Sequence, residues 1–402
     1  MTDMSENGTE QEKEVTVQTE ETKGAGKESG EDTAAQTEGV EDAREENAAT
    51  KTEVAAGAAG ESTASNSGSG IEIADRFKQN NSRPRRELVG VDNKQVETKR
   101  LVIFLALCFG VAWVVELFAV TPLYKSNDVE AVKEAVDMIS QMMFTPAIAA
   151  LVARLLTREG LVKSGFQLNF GECKFLFLFG WFGMTFLTFL GAVIYFLVYR
   201  NNFDPNMTEY VASYSAAMTD VYAENTSTPV EIIAAFKTDL LLKIFSAPLL
   251  DIINAFGVEW GFRAYLVPKI YRKLGAVPSM VLGGFISGLW YAPLVALGYY
   301  YGTDYSGFPV TGIIAMCIFG TVTGIISSYL CLRTGSIFPS VFAASSLNVM
   351  MSQAALFTFD GGSFFVGPAP TGIIAGIPLI IVAVIFVVDM AHNPVKPSES
   401  RK

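Results

Sequence analysis

The stretch DIINAFGVEWGFRAYLVPKIYRKL, residues 251–274, places two charged side chains in strongly apolar sequence and ends in a basic cluster. Glu259 and Arg263 are four residues apart, so a helix brings them to one face, with the acid in the favourable N-terminal position. A charge at membrane depth is costly, and such residues usually face the interior of a helix bundle and pair with one another. The stretch therefore predicts a membrane helix with a buried ion pair, which the other apolar segments shield from lipid.

Further apolar runs flank this stretch, each close to the roughly 20 residues that a helix needs to cross a bilayer. They predict an all-α polytopic membrane protein with about eight spans, and the distribution of Lys and Arg places both termini in the cytoplasm. The predicted spans are Leu101–Val120, Met138–Leu156, Phe175–Tyr199, Leu240–Phe256, Pro278–Tyr300, Phe308–Leu332, Ser336–Thr358 and Thr371–Val388.

Local signals refine this picture of the spans. Residues 228–231, Thr-Pro-Val-Glu, have the residue types of a capping box with proline at the first helical position, so a helix is expected to start there and run into the fourth span. Two small-residue motifs, Gly284-x-x-x-Gly288 and Gly320-x-x-x-Gly324, permit close approach of helix backbones.

The parts of the chain outside the spans differ sharply in charge. The chain has a formal net charge of −11, and its acidic excess is concentrated near the N-terminus. Residues 1–75 predict a disordered acidic tail, because they cannot bury enough apolar surface to offset the entropy of ordering. Residues 76–100 are basic and predict a juxtamembrane segment that contacts anionic lipid. The transmembrane domain is expected over residues 101–391, followed by a cytoplasmic tail, 392–402.

Several classes of site are disfavoured by composition. The four cysteines are dispersed without metal-ligand spacing, and the single histidine, His392, follows the last predicted span. A histidine-based metal or acid–base site within the membrane is thereby excluded. We expect no cofactor and no metal, and the basic segment, in which Phe77 is the single aromatic residue, does not predict nucleic-acid binding.

Three motifs appear in order along the second half of the chain. The sequence GVEWGFRAYL at 257–266 resembles the first motif, Glu-Glu-x-x-x-Arg, of the CAAX protease and bacteriocin-processing (CPBP or Abi-type) intramembrane endopeptidases. The sequence LWYAP at 289–293 is similar to the second motif of that family, Trp-His-x-Pro. The sequence ASSLN at 344–348, shortly after RTGSI at 333–337, resembles its third motif, His-x-x-x-Asn. The resemblance covers about residues 240–351.

The resemblance assigns roles to positions, and the chain departs from the family at the decisive ones. Val258 stands where the family has the first glutamate, and Tyr291 stands where it has the histidine thought to activate water with that glutamate. Ala344 replaces the histidine implicated in oxyanion stabilisation. The positions that keep the family residue are Glu259, Arg263 and Asn348.

The retained acid is a poor replacement for the missing base. Adjacent helical residues point about 100° apart, so Glu259 does not aim where residue 258 aims, and pairing with Arg263 lowers its basicity. A tyrosine titrates near pH 10, which makes Tyr291 a poor base at neutral pH. Losing several members of a catalytic unit removes most of its rate. The sequence therefore predicts a degenerate member, a pseudoprotease.

Structural roles compete with functional ones at each of these positions. Glu259 and Arg263 are also explained as a structural ion pair, and Asn348 as a hydrogen-bonding residue between helices. Trp290 and Tyr291 are also explained as large fillers of a helix interface. The polar residues Asp251 and Asn254, together with Trp290, are candidates for lining a cavity, and Lys243, eight residues before Asp251, could share its side of a helix.

Three functions remain open from the sequence. The first is a non-catalytic CPBP-like protein that binds a membrane protein, a hydrophobic peptide or a lipidated tail, with the acidic tail as a cytoplasmic contact. The second is an active endopeptidase with a rewired site built from Glu259, Tyr291 and Asn348. The third is a transporter or small-molecule binder, indicated by the intramembrane charges Lys243, Asp251 and Glu259. In each case membrane lipids are partners, and the expected location is a cell membrane, of a bacterium by the family resemblance.

Overall fold

The computed structural model describes residues 94–160, 165–222, 228–359, 362–363 and 365–395. The predicted acidic tail and most of the basic segment before the first span lie outside the described residues. The same holds for most of the predicted C-terminal tail. The proposed division of the chain at these segments therefore stays a prediction.

Within the described residues the chain is helical, and its β-structure is limited to isolated bridges. The helices are α1 (Gln95–Tyr124), α2 (Val129–Leu156), α3 (Cys173–Val198), α4 (Thr208–Tyr222), α5 (Pro229–Leu250), α6 (Ile252–Leu274), α7 (Ala276–Leu297), α8 (Val310–Thr334), α9 (Phe338–Phe357) and α10 (Ile377–His392).

The lengths and apolar character of these helices bear on the predicted spans. In the described part of the chain, six helices are long and apolar enough to cross a membrane: α1, α2, α3, α7, α8 and α9. The pair α5 and α6 supplies a seventh if its two members, bent by 42°, count as one span. Helix α10 is apolar but shorter, at 16 residues. The all-α polytopic membrane class is confirmed, whereas the count of eight and the cytoplasmic termini stay predictions.

The start of α5 follows the predicted capping box. The Thr228 side chain accepts a hydrogen bond from the Glu231 backbone N–H at 3.4 Å, and the Thr228 N–H donates to the Glu231 carboxylate at 2.8 Å. Both contacts satisfy groups that a helix N-terminus leaves unpaired. The sequence signal at this helix start is therefore confirmed.

The other end of α5 breaks the predicted fourth span, Leu240–Phe256, close to Pro248. Proline 248 lies in the last turn, the helix ends at Leu250, and Asp251 has non-helical backbone angles. A proline in a helix removes a backbone hydrogen bond, which accounts for the break. Lys243 and Asp251 are therefore not on one side of one helix, and Lys243 pairs with Asp239 at 2.7 Å instead.

Helices α7 and α8 cross at the two small-residue motifs. A Cβ atom added to Gly320 would lie 2.5 Å from the Cα of Gly288, and one added to Gly284 would lie 2.8 Å from the Gly320 carbonyl oxygen. These separations are far inside van der Waals contact, so only glycine permits this backbone approach. The two motifs face each other, in the role that small residues have in membrane helix packing.

A network of buried charges ties α1, α2 and α6 together at one end of these helices. The Glu159 carboxylate, just after α2, lies 2.5 Å from the Lys269 ammonium, 3.5 Å from Nε of Arg100 and 3.6 Å from Nη1 of Arg154. One carboxylate thus neutralises cations from three helices.

Substituting this shared acid is expected to loosen that end of the structure. Glu159→Gln should lower the free energy of unfolding by about 1–3 kcal/mol, because three buried cations lose a common counter-charge. Thermal unfolding of the purified protein in detergent measures the effect. Asp137→Asn, at an exposed position of α2, is the matched control, and an equal melting temperature for both variants would contradict a role for the network.

Candidate functional site

The ion pair of the first motif lies inside the bundle. Glu259 and Arg263 are each only 3% exposed, and Nε of Arg263 lies 3.5 Å from Oε2 of Glu259. The hydroxyl of Ser340, on α9, donates a hydrogen bond to the same carboxylate. The helix spacing alone predicted this pair, and the partner on α9 is added by the tertiary structure.

Arg263 uses its remaining donors on α7. Its Nη1 donates to the Gly283 carbonyl at 3.3 Å, and its Nη2 donates to the Ser287 hydroxyl at 3.1 Å. Because Glu259 contacts α9 and Arg263 contacts α7, the pair joins three helices. This arrangement satisfies most of the polar groups of the pair and describes a structural tie.

The helix that carries the pair has a wider, π-helical turn at Arg263. Residues Phe262–Leu266 form a π-helical turn within α6, and all of them are buried. Single π-helical turns inside α-helices are frequent at functional sites. The turn includes the motif arginine, Arg263.

The two positions that would activate water lie against one apolar cluster. Val258 and Tyr291 are both partly buried and both pack against the core that contains Trp290 and Phe262. The Tyr291 hydroxyl has Sδ of Met143 at 3.7 Å, at the outer limit for a weak contact. An isopropyl group and a phenol therefore occupy these positions, and neither is a base at neutral pH.

The third motif lies on α9 and contributes a different polar cluster. Ala344 is partly buried against the main core, whereas Asn348 is exposed and donates to the Asp251 carboxylate at 2.7 Å. Asn254 donates to the other oxygen of Asp251 at 2.8 Å and to Ser140, on α2, at 3.0 Å. The structure thus joins Asp251, Asn254 and Asn348 in one polar cluster. Glu259 is not part of this cluster, because it pairs with Arg263 and Ser340.

Asp251 precedes the first residue of α6, Ile252, and its backbone is not helical. Asp251 interacts electrostatically with Tyr291, and so do Glu259 and a further acid, Glu116. The tyrosine that stands at the family's histidine position is therefore in the electrostatic field of three acids.

Glu116 was missed in the sequence. It is 1% exposed in α1, and neither oxygen of its carboxylate has a hydrogen-bond partner among the described residues. The signal was present, because Glu116 is the acid within the otherwise apolar predicted span Leu101–Val120. The rule that marks intramembrane charges as functional applies to it as it does to Glu259.

Trp290, a predicted cavity-lining residue, is fully buried between α1 and α7. Its indole N–H donates to the Cys108 carbonyl at 3.2 Å, and its own carbonyl accepts from the Trp113 indole at 3.1 Å. Its ring packs edge-on against Phe262, with 6.1 Å between centroids. These contacts fix the second motif against the first transmembrane helix.

Comparison with known proteins identifies the region that holds these residues. Residues 240–350 match the family model described as type II CAAX prenyl endopeptidase Rce1-like. No curated protein and no solved structure gives a significant match. The matched region runs from α5 into α9 and includes the Glu259–Arg263 pair, the Asp251 cluster and all three motif segments. The match covers residues 240–350 and supports the assignment of this region to the CPBP family of CAAX-protease-like membrane proteins.

Proposed function

We propose that this chain is a pseudoprotease of the CPBP family that binds a membrane protein, a hydrophobic peptide or a lipidated tail without cleaving it. The arrangement of Glu259 carries the proposal. Its carboxylate is held by Arg263 and Ser340, while Val258 and Tyr291, at the water-activating positions, pack on an apolar cluster.

The chemistry of peptide hydrolysis requires a base placed within hydrogen-bond reach of the attacking water and a pKa near the working pH. Glu259 does not meet this requirement, because its carboxylate balances the charge of the buried Arg263 guanidinium. The neighbouring position on the helix, about 100° away, holds Val258. With both histidine positions also changed, the parts that act together in such a mechanism are missing.

Binding of an apolar partner fits the residues that replaced the catalytic ones. Valine, tyrosine and alanine at 258, 291 and 344 make the site more apolar than the glutamate and two histidines of the family pattern. The matched family model is named for endopeptidases of prenylated CAAX proteins, so a prenylated tail is the first ligand to test. The cell membrane, in a bacterium, is the location that we propose, with membrane lipids as further partners.

The test compares the native chain with Val258→Glu/Tyr291→His/Ala344→His. Both proteins, in nanodiscs, are incubated with prenylated CAAX peptides, and the products are read by mass spectrometry. We expect the native chain to retain the prenylated peptide uncleaved and to ignore the same peptide without its prenyl group. The triple variant should gain cleavage. Cleavage by the native chain, or failure to retain the prenylated peptide, would contradict the proposal.

A rewired endopeptidase is the second candidate, and one contact favours it. Asn348, retained from the third motif, holds a carboxylate at 2.7 Å, that of Asp251. This keeps an acid and the amide of the third motif together. If the native chain cleaves a peptide, loss of cleavage in Asp251→Asn or in Glu259→Ala shows which acid is responsible. If both variants form the same amount of product as the native chain, this candidate is excluded.

A further inference from the structure

The buried charge network at one end of α1, α2 and α6 contains more cations than acids. One oxygen of the Glu97 carboxylate lies 2.8 Å from Nη1 of Arg100 and 3.0 Å from Nη1 of Arg272. The Glu159 carboxylate serves the other side of the network. In these contacts two carboxylates face four cations, namely Arg100, Arg154, Lys269 and Arg272. The positive excess lies in a poorly solvated place, where it attracts negative charge more strongly than it would in water.

A groove on the exposed face of α1 begins beside this network. It is lined by Gln95, Thr98, Lys99, Val102 and Ile103. These positions follow one another at the spacing of residues that share a helix face. The polar residues come first and the apolar ones follow one turn later, with Val102 60% exposed. The groove therefore passes from polar to apolar in the order in which a phospholipid passes from its head group to its acyl chains.

A second lysine reaches the polar end of the groove from α6. The ammonium of Lys273 donates a hydrogen bond to the hydroxyl of Thr98, which lines the groove together with Lys99. Both lysines are exposed. Lys273 directly follows Arg272, whose guanidinium pairs with Glu97. Two accessible cations thus border the groove, and the positive network lies directly behind them.

The position of the groove along α1 fits the surface of a membrane. This helix is long and apolar enough to cross a bilayer, and its polar first turns end at Arg100, where the apolar run from Leu101 begins. Lysines at such a boundary rest their stems on apolar surface and keep their ammonium groups at head-group level. Clusters of lysine and arginine beside a membrane helix, and basic pockets between such helices, recognise anionic head groups.

We propose that Lys99 and Lys273 bind the phosphate of an anionic phospholipid, one acyl chain of which lies along Val102 and Ile103. The phosphate accepts charge-assisted hydrogen bonds from the two ammonium groups. The positive excess behind them favours a head group with a net negative charge over a zwitterionic one. Neither lysine belongs to the three motif segments, so the site does not depend on whether the chain binds or cleaves a peptide.

The first test measures the lipid preference of the unmodified full-length chain. Native mass spectrometry in detergent counts bound lipids during titration with phosphatidylglycerol and, separately, with phosphatidylcholine. We expect phosphatidylglycerol to bind about tenfold more tightly or better, from about 1 kcal/mol for each lysine near the membrane surface. Inorganic phosphate at the same concentration should not displace it, because it leaves the apolar half of the groove empty. Equal affinity for the two lipids would overturn the proposal, and so would full displacement by inorganic phosphate, which would indicate a site for the free anion.

The second test assigns the preference to this groove. Lys99→Gln/Lys273→Gln should weaken phosphatidylglycerol binding about tenfold or more and leave phosphatidylcholine binding unchanged. Lys125→Gln/Lys133→Gln removes the same charge at exposed positions near the other end of α1 and should bind as the native chain does.

Two results of the second test would contradict the proposal. Native affinity for phosphatidylglycerol in Lys99→Gln/Lys273→Gln would exclude the two lysines as the head-group site. An equal loss in both double variants would show that total charge, and not this groove, attracts the lipid. The preference of the native chain between the two lipids requires no variant, so the first test holds even if a substitution impairs folding.

Discussion

Arg263→Met is expected to lower the free energy of unfolding by about 3–5 kcal/mol, the usual cost of removing one partner of a buried ion pair. The guanidinium joins α6 to α7 through Gly283 and Ser287 and balances Glu259, which is 3% exposed. Without it the carboxylate stays in the bundle without its counter-charge. Thermal unfolding of the purified protein in detergent measures the loss.

The chain contains a matched control for this experiment. Asp239 and Lys243 form an ion pair with the same four-residue spacing and the same order, but the Asp239 side chain is 51% exposed. Lys243→Met should therefore cost much less than Arg263→Met. The double substitution Glu259→Gln/Arg263→Met should recover part of the loss, because no isolated charge remains. A native melting temperature for Arg263→Met would show that the pair does not stabilise the bundle.

This result bears on how the surviving motif residues are interpreted. Glu259 and Arg263 connect three helices, so selection for a stable fold alone is a sufficient reason to keep them. Their presence is therefore no sign of catalysis. Asn348 leads to the same conclusion, because its amide is occupied by Asp251, at the break between α5 and α6.

Much of the fold was predictable because it depends on local periodicity. The Glu259–Arg263 pair follows from helical spacing, and the start of α5 follows from the residue types at 228–231. The sequence did not show that the two glycine motifs pack against each other. It showed only that each motif lets another helix approach closely. Local patterns describe one helix at a time.

The candidate site was less predictable, because its contacts join residues far apart in the chain. Asn348 and Asp251 are 97 positions apart, and Ser340 and Glu259 are 81 apart. No spacing rule selects such partners. Glu116 is visible in the sequence as an acid in an apolar run. Its lack of hydrogen-bond partners among the described residues follows only from the packing of α1 against the segment after α7.

Gly324→Ala is expected to destabilise the protein by about 1–3 kcal/mol, the usual cost of overpacking a well-packed contact. The added methyl group would collide with the Cα of Gly284 on α7 and lie 3.2 Å from Nη2 of Arg263. A backbone atom cannot turn aside as a flexible side chain can, so α7 and α8 must separate. Thermal unfolding in detergent measures the loss.

Gly110→Ala in α1 is the control for this glycine substitution, since a Cβ there meets nothing within 4 Å. It should leave stability unchanged or raise it by up to about 1 kcal/mol through helix propensity. If both alanine variants unfold at the same temperature, close packing at Gly324 does not limit stability. Combining Gly324→Ala with Arg263→Met tests a coupling between neighbours. A combined loss smaller than the sum would show that the glycine acts partly by leaving room for the arginine, whereas full additivity would make helix packing and the ion pair independent supports of the same site.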